Sequence, residues 1–297
     1  MTDIGERVKA IEKEVIDIRR YFHKYPELSN QEFRTMEKIS EYLEDWGIEH
    51  EKGVAQTGVV GIIRGKKPGK TVAIRADIDA LPVDEANEVE YKSVNKGVMH
   101  ACGHDAHMAI LLGVGKIFKQ MEDELEGNIK LLFQPAEETT GGADRMIKAG
   151  CLENPKVDYA LGLHVSPNVE VGKIELRYGK LYAASDMLTI EAKGKSAHGA
   201  SPDKGIDPMI MAASIILSLQ TIASRNLSPF NPIALTIGEV TGGTQGNIIA
   251  NEVEMKGILR TLDNETRKYT RERIKTIVEK VAEALGGKGE LIVDESY

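Results

Sequence analysis

Apolar residues recur at helical spacing from the start of the chain: Val8, Ile11, Val15, Ile18 and Phe22 share one face of residues 4–24. Pro26 closes that helix. A second is expected from about Gln31 to Trp46, where Gly47 provides a stop. The pattern then shortens. TGVVGIIRG (57–65) and TVAIRAD (71–77) are compact apolar runs of strand type, with PGK (68–70) as a turn between them. A helical stretch, AHMAILLGVGKIFKQM (106–121), precedes NIKLLFQP (128–135), a strand closed by Pro135. VDYALGLHV (157–165) and VGKIELRYG (171–179) read as further strands. Strands alternating with helices predict an α/β sandwich with a largely parallel sheet.

The order changes near Ser185. Strand DMLTIEAKG, a helix over 208–224, strands IALTIGEV and EVEMKGILRTL, a helix over 265–285 and strand ELIVDE follow one another. This β-α-β-β-α-β order is that of a ferredoxin-like unit and is complete in itself. Two domains are therefore expected, 1–184 and 185–297. The most apolar stretch, Pro208 to Ser224, is broken by Ser214, Ser218, Gln220 and Thr221, which predicts a buried helix rather than a membrane span.

Charge and composition remove several function classes. The net charge is -8, and no dense Lys or Arg cluster offsets it, so nucleic acid is not expected as a partner. The two cysteines, Cys102 and Cys151, are far apart, which fits a reducing compartment rather than a disulfide scaffold. The first residues mix both signs of charge and lack an apolar core, so no signal peptide and no membrane association are expected, and the chain reads as cytoplasmic.

The candidate chemistry gathers at strand ends, where open α/β sheets bind ligands. Asp77 follows TVAIRA, HACGHDAH spans 100–107, Glu137 and Glu138 follow LLFQPA, and His164 follows YALGL. Cys102 and His104, two apart around Gly103, can point the same way and form a thiolate–imidazole clamp for a metal. The alternative is a polar helix entry with a buried cysteine, Asp105 serving as N-cap. Glu137 and Glu138, if extended, point to opposite sides, one towards a metal and one into the cleft as general base. Asp77 suits a group that orients a ligand, although it and its neighbours Asp79 and Asp84 could each simply cap a turn. His100 and His107 read as structural or supporting groups; His23, His50 and Cys151 as packing or surface residues; Trp46 as helix-end packing. In the second half, His198 lies in a Gly/Ser/Pro-rich turn, Asn247 in a Gly-rich loop, and Arg260 near a strand end where it could hold a carboxylate.

RADIDALP, MHACGHDAH, FQPAEE, GLHV, GKSAHGASP and GGTQGNIIANEVEMKGILR together resemble the N-acyl-amino-acid amidohydrolases. That group includes hippurate hydrolases, N-acetyldiaminopimelate deacetylases and indole-acetyl-amino-acid hydrolases, within the dinuclear zinc-type exopeptidases. The resemblance implies a zinc-exopeptidase-like α/β catalytic domain with an inserted ferredoxin-like lid and dimerisation domain. It implies metal-dependent hydrolysis of the amide bond of small N-acyl amino acids by a homodimer. Two divalent ions are implied, zinc or manganese, with cobalt or nickel also compatible. By position, Cys102, His104, Glu138 and His164 match metal ligands, Glu137 the general base, and Asp77 the acid behind the metals. His198 matches a lid histidine that reaches the partner's site and steadies the oxyanion; Asn247 and Arg260 match contacts to the substrate's polar end. Arg75 stands where the wider superfamily has a histidine ligand, a departure that fits a branch using Cys102 instead. Family chains return from the lid to the catalytic domain and gain a last metal-binding histidine there. This sequence stops at Tyr297, so a C-terminally truncated chain with weak metal binding and hydrolysis is expected. The competing expectations are a metallo-dipeptidase or carboxypeptidase, and a non-catalytic metal-binding or dimerising protein.

Overall fold

The computed structural model describes residues 4–295, in two compact units divided between Ile174 and Glu175. The first begins with two helices, α1 (Ile4–Lys24) and α2 (Phe33–Asp45). Strands β1 (Glu49–Val54), β2 (Gly58–Arg64) and β3 (Lys67–Asp77) follow, then α3 (His104–Gln120), β4 (Glu126–Gln134), α4 (Gly142–Lys148) and β5 (Tyr159–Gly162). They form one sheet in the order β1-β2-β4-β3-β5. β3 runs parallel to both β4 and β5, while β1–β2 and β2–β4 are antiparallel.

The sheet is thus mixed rather than largely parallel. The cause is a hairpin at one side: β2 runs against β4, and β1, a charged edge strand (EHEKGV) that periodicity does not reveal, is joined to β2 by a tight turn with positive φ at Ala55 and Gln56. The main core packs Ile18 and Phe22 of α1, Ile39 and Leu43 of α2, and Met108 and Leu112 of α3 against Val59, Ile63, Leu131 and Phe133 of the sheet. A smaller cluster of Ala73, Leu132, Met146 and Cys151 covers the other face.

Residues 171–179 do not form the expected strand. Among the described residues no strand pairs with them, and Ile174 and Tyr178 stand 91 % and 94 % exposed. Alternating apolar residues favour a strand only where a neighbour takes up the ladder hydrogen bonds. β5 is likewise shorter than the expected 157–165, and Tyr159 and Leu161 on it are exposed.

The second unit contains β6 (Ala184–Lys193), β7 (Ala197–His198), α5 (Pro208–Thr221), β8 (Ile233–Gly242), β9 (Ile248–Ile249), β10 (Glu252–Thr261), α6 (Asn264–Ala284) and β11 (Lys288–Glu295). Its main sheet is antiparallel throughout, in the order β11-β6-β10-β8, and the short β7 and β9 pair separately. α5 starts at Pro208 with Asp207 capping Met209 and runs on as a wider turn to Asn226. By length and composition, Pro208–Asn226 could cross a membrane. Here Met211, Ala212, Ile215 and Leu219 bury one of its faces in the core of this unit.

α6 is fastened to β6 by a buried charge. Asp186 is 1 % exposed and accepts paired hydrogen bonds from Arg267 (2.6 and 3.0 Å) and Arg271 (2.5 and 3.0 Å). Burial alone would raise its pKa, but the two guanidinium groups outweigh that and hold the carboxyl below its usual value. Asp186→Ala leaves both arginines without that partner and is expected to destabilise this unit by about 3 kcal/mol, read as faster amide exchange in β6 and α6. Because the folded pKa is lowered, the stabilisation is present above the unfolded value of about 4 and is lost as pH falls through the folded one. The wild-type advantage over Asp186→Ala should therefore shrink below about pH 4.

Candidate metal centre

β3 and β4 are adjacent and parallel, so the segments that leave their C-terminal ends meet. Asp77 closes β3. Cys102 lies in the turn before α3, and His104 opens that helix. The corner between them is Gly103, at φ 88°, a left-handed conformation that glycine adopts without strain. A Cβ there would lie 2.4 Å from Val165 Cγ2, so glycine also lets the loop carrying His164 approach. Asp105 does not cap the helix, since Gly103 holds that position. Its carboxylate instead meets Arg19 (2.7 Å) and His23 (2.8 Å).

Glu137 and Glu138 are not extended. Ala136 takes a left-handed φ of 50°, and the chain turns at once after β4. The turn brings both carboxylates within 4.8 Å of His104 instead of sending them to opposite sides. Cys102, His104 and His164 form a second set within the same limit. Cys102 Sγ stands 3.3 Å from His164 Nε2.

Asp79, which sequence alone does not separate from its neighbours, ties these groups together. Its carbonyl oxygen accepts from His104 Nδ1 at 2.8 Å, so in the neutral ring the proton sits on Nδ1 and Nε2 carries the lone pair. Its carboxylate accepts from the Glu138 amide (3.0 Å) and from the Ser29 hydroxyl (2.7 Å). His104 Nε2 and Glu138 Oε1 are both buried and unpartnered, and they face each other at 3.7 Å. Buried polar atoms are seldom left so unless something else satisfies them. The Cys102 thiol is pushed up to about 12, first by burial and then by Glu138 and the neighbouring carboxylates. Its sulfur becomes a thiolate only beside a cation, and imidazole, thiolate and carboxylate are a donor set that suits a divalent ion.

The supporting groups sort themselves by hydrogen bonding. His107 Nδ1 meets Asp77 Oδ1 at 2.5 Å and its Nε2 accepts from the Val165 amide at 2.9 Å, so neither nitrogen is free to ligate. Asp77 Oδ2 accepts from Arg75 at 2.6 Å and lies 3.6 Å from His104 Nε2. Burial would raise its pKa, yet His107 and Arg75 bring it down to about 2. His100 is buried with neither ring nitrogen partnered, and burial lowers its pKa to about 4, which keeps it neutral. His23, expected as packing or surface, is a buried polar link between Asp105 and Glu85 (3.0 Å); no periodicity could show it. Burial, with the charges of Glu138 and Asp77, raises the pKa of Glu137.

The remaining candidates belong to the second unit. His198 on β7 is exposed, with Nδ1 accepting from the Ala200 amide at 3.0 Å. The Asn247 carbonyl accepts from Gly199 at 2.8 Å, so these two loops meet. Arg260 is exposed near the other end of β10, opposite Ser185.

Asp79→Ala frees the Glu138 amide and removes a carboxylate beside His104. It is expected to weaken the binding of a divalent ion roughly 10–100-fold while the fold persists. Competition with a chelator measures the affinity, and circular dichroism checks the fold.

The family model of peptidase family M20/M25/M40 matches residues 73–288. The chain is 43 % identical over 281 residues to the N-acetyl-L-cysteine deacetylase of Bacillus subtilis, covering 95 % of itself and 67 % of that protein. It is 43 % identical over 287 residues to thermostable carboxypeptidase 2 of Saccharolobus solfataricus, covering 96 % of itself and 72 % of the relative. A crystal structure of a dinuclear metal-binding M20 peptidase from Bacillus subtilis superposes with a TM-score of 0.82 at 36 % identity, over 97 % of this chain and 74 % of that one. A strand-end cluster of thiol, imidazole and carboxylate thus stands in a chain that matches the M20 peptidases over most of its length: it belongs to peptidase family M20/M25/M40 and is a hydrolase of amide bonds.

Proposed function

We infer that the chain hydrolyses the amide bond of N-acyl amino acids, with two divalent ions held by Cys102, His104, Glu138 and His164. The observation that carries this is the facing pair of buried, unpartnered donors, His104 Nε2 and Glu138 Oε1, beside Cys102, His164 and Glu137. The likeness to a deacetylase of N-acetyl-L-cysteine supports the substrate class. Zinc is the ion that best fits a thiolate–imidazole–carboxylate set, with manganese second.

Divalent ions bound there supply Lewis acidity. The chain's own residues do the rest. Asp79 holds His104 and Glu138 in place, and Asp77 with His107 braces the His164 loop through the Val165 amide. Glu137 takes a proton from the attacking water and passes it to the leaving nitrogen as the C–N bond breaks. One water is consumed, and a carboxylic acid and an amine leave. On the second unit, His198 serves the oxyanion, and Asn247 and Arg260 serve the polar end of the substrate. His198 with Asn247 and Arg260 lie towards opposite ends of β10, so one copy of the unit does not bring them to one point. A homodimer in which lid residues act on the partner's site accommodates this. The locale we assign is the cytoplasm, because the chain's two cysteines are both free, as a reducing compartment keeps them. The likeness to a carboxypeptidase supports a second reading, cleavage of peptides from their C-terminal end.

Glu137→Gln should lower hydrolysis by on the order of 10²–10⁴ while bound metal stays at the wild-type level. Metal per chain by mass spectrometry and turnover of N-acetyl amino acids beside dipeptides measure this. Loss of metal in Glu137→Gln, with retention in Glu138→Gln, would reverse the two roles. Faster turnover of the dipeptides would favour the carboxypeptidase reading.

If the lid acts across the dimer, mixing inactive His198→Ala and Glu137→Gln chains should restore a share of wild-type activity. Verified mixed dimers that recover none would place His198 in its own subunit's site.

A further inference from the structure

We propose that Glu32 is a positioning residue that sets where Glu137 and Glu138 are presented. The proposal rests on the reading of those two as base and ligand. Glu32 occupies the N-cap position of α2, where a carboxylate ordinarily binds the helix's own first amides. It does not do so. Glu27 takes that task, accepting from Arg34 N (3.2 Å) and from Thr35 N (2.8 Å). The Glu32 side chain turns inward and is 0 % exposed. One oxygen accepts from the Ala136 amide at 2.8 Å, the other from the Thr57 hydroxyl at 2.6 Å.

Ala136 is the residue before the Glu137–Glu138 pair, and its φ of 50° is one that an alanine keeps only when its surroundings impose it. The surroundings here are specific. A Cβ on Gly142 would fall 1.9 Å from Pro135 O, and one on Gly58 would fall 2.9 Å from Pro135 Cδ. Two glycines therefore allow backbone to close on the turn from two sides, and Glu32 accepts the Ala136 amide within it. Beyond the pair, Asp79 holds the Glu138 amide. Glu137, partly open to solvent and partly desolvated, sits between these two anchors. Its direction follows from the turn rather than from packing of its own side chain.

The reach of the acceptor, not its charge, is what the geometry requires. Glu32→Gln keeps both the length and an acceptor for Ala136, with Thr57 able to accept from the new amide. Glu32→Asp keeps the charge but is one methylene short. We expect Glu32→Gln to stay within about threefold of wild type. Glu32→Asp and Glu32→Ala should lose roughly tenfold or more in kcat with KM almost unchanged, as displacement of a reacting group does. Zinc affinity, read by titration with the metal alone, should fall several-fold in the same two variants, and this needs no turnover. Amide exchange at Ala136 should quicken in both.

The proposal is overturned if folded Glu32→Asp or Glu32→Ala turns over and binds zinc like wild type, or if Glu32→Gln is damaged as badly as they are. Should Glu32→Ala fail to fold, the contrast between Gln and Asp decides alone. Glu137→Gln is the control. If it stays active, the assignment of the base is wrong, and the zinc affinities still test whether Glu32 holds the turn.

Discussion

His104 and Glu138 arrive from different places in the chain, one at the start of a helix and one in a turn after a strand, and Asp79 is what both have in common. Its carbonyl accepts the His104 Nδ1 proton, and its carboxylate accepts the Glu138 amide. The first contact decides which ring nitrogen has a free lone pair. The second decides how near the carboxylate stands to it. The 3.7 Å gap between two buried, unpartnered atoms follows from this one residue, held in turn by Ser29. A pair of buried donors without a partner is costly unless a cation completes it.

The electrostatics of the pocket point the same way. Glu137, Glu138 and Asp77 surround Cys102, and with burial they drive its thiol up to about 12. A nucleophilic cysteine needs an electropositive setting, and this one has the reverse. The same negative charge that disfavours a free thiolate suits a divalent ion, which would stabilise the thiolate as a ligand. Arg75 and His107 relieve part of the charge by pairing with Asp77, which stays ionised with its pKa near 2.

The second unit rests on separate physics. Its core is made by α5 and α6 lying on an antiparallel sheet, and Asp186 with two arginines pins α6 to β6. Long strands β6, β8 and β10 give it an architecture independent of the metal cluster. Its exposed histidine and loops can vary in use without disturbing that core.

The sequence by itself determined the long helices but not the short α4, most strands, the second unit's β-α-β-β-α-β order and the set of strand-end side chains. Periods of 3.6 and 2 residues, and the stops at Gly and Pro, are local properties that need no neighbour. Only the tertiary structure decided the rest. The alternation over 171–179 carries a strand-like pattern, but a strand exists only when another backbone takes its hydrogen bonds. The charged β1 shows the converse: a strand with no apolar signal, formed because β2 folds back on it. Cys102, His104, Glu137, Glu138, Asp77 and His164 were legible as candidates, whereas Asp79 and Glu32 were not. Glu32 looks like an ordinary helix-start carboxylate until folding places it against Ala136, far along the chain. Where a side chain points, and which distant amide it meets, depends on how the layers pack, and no spacing along the chain encodes it.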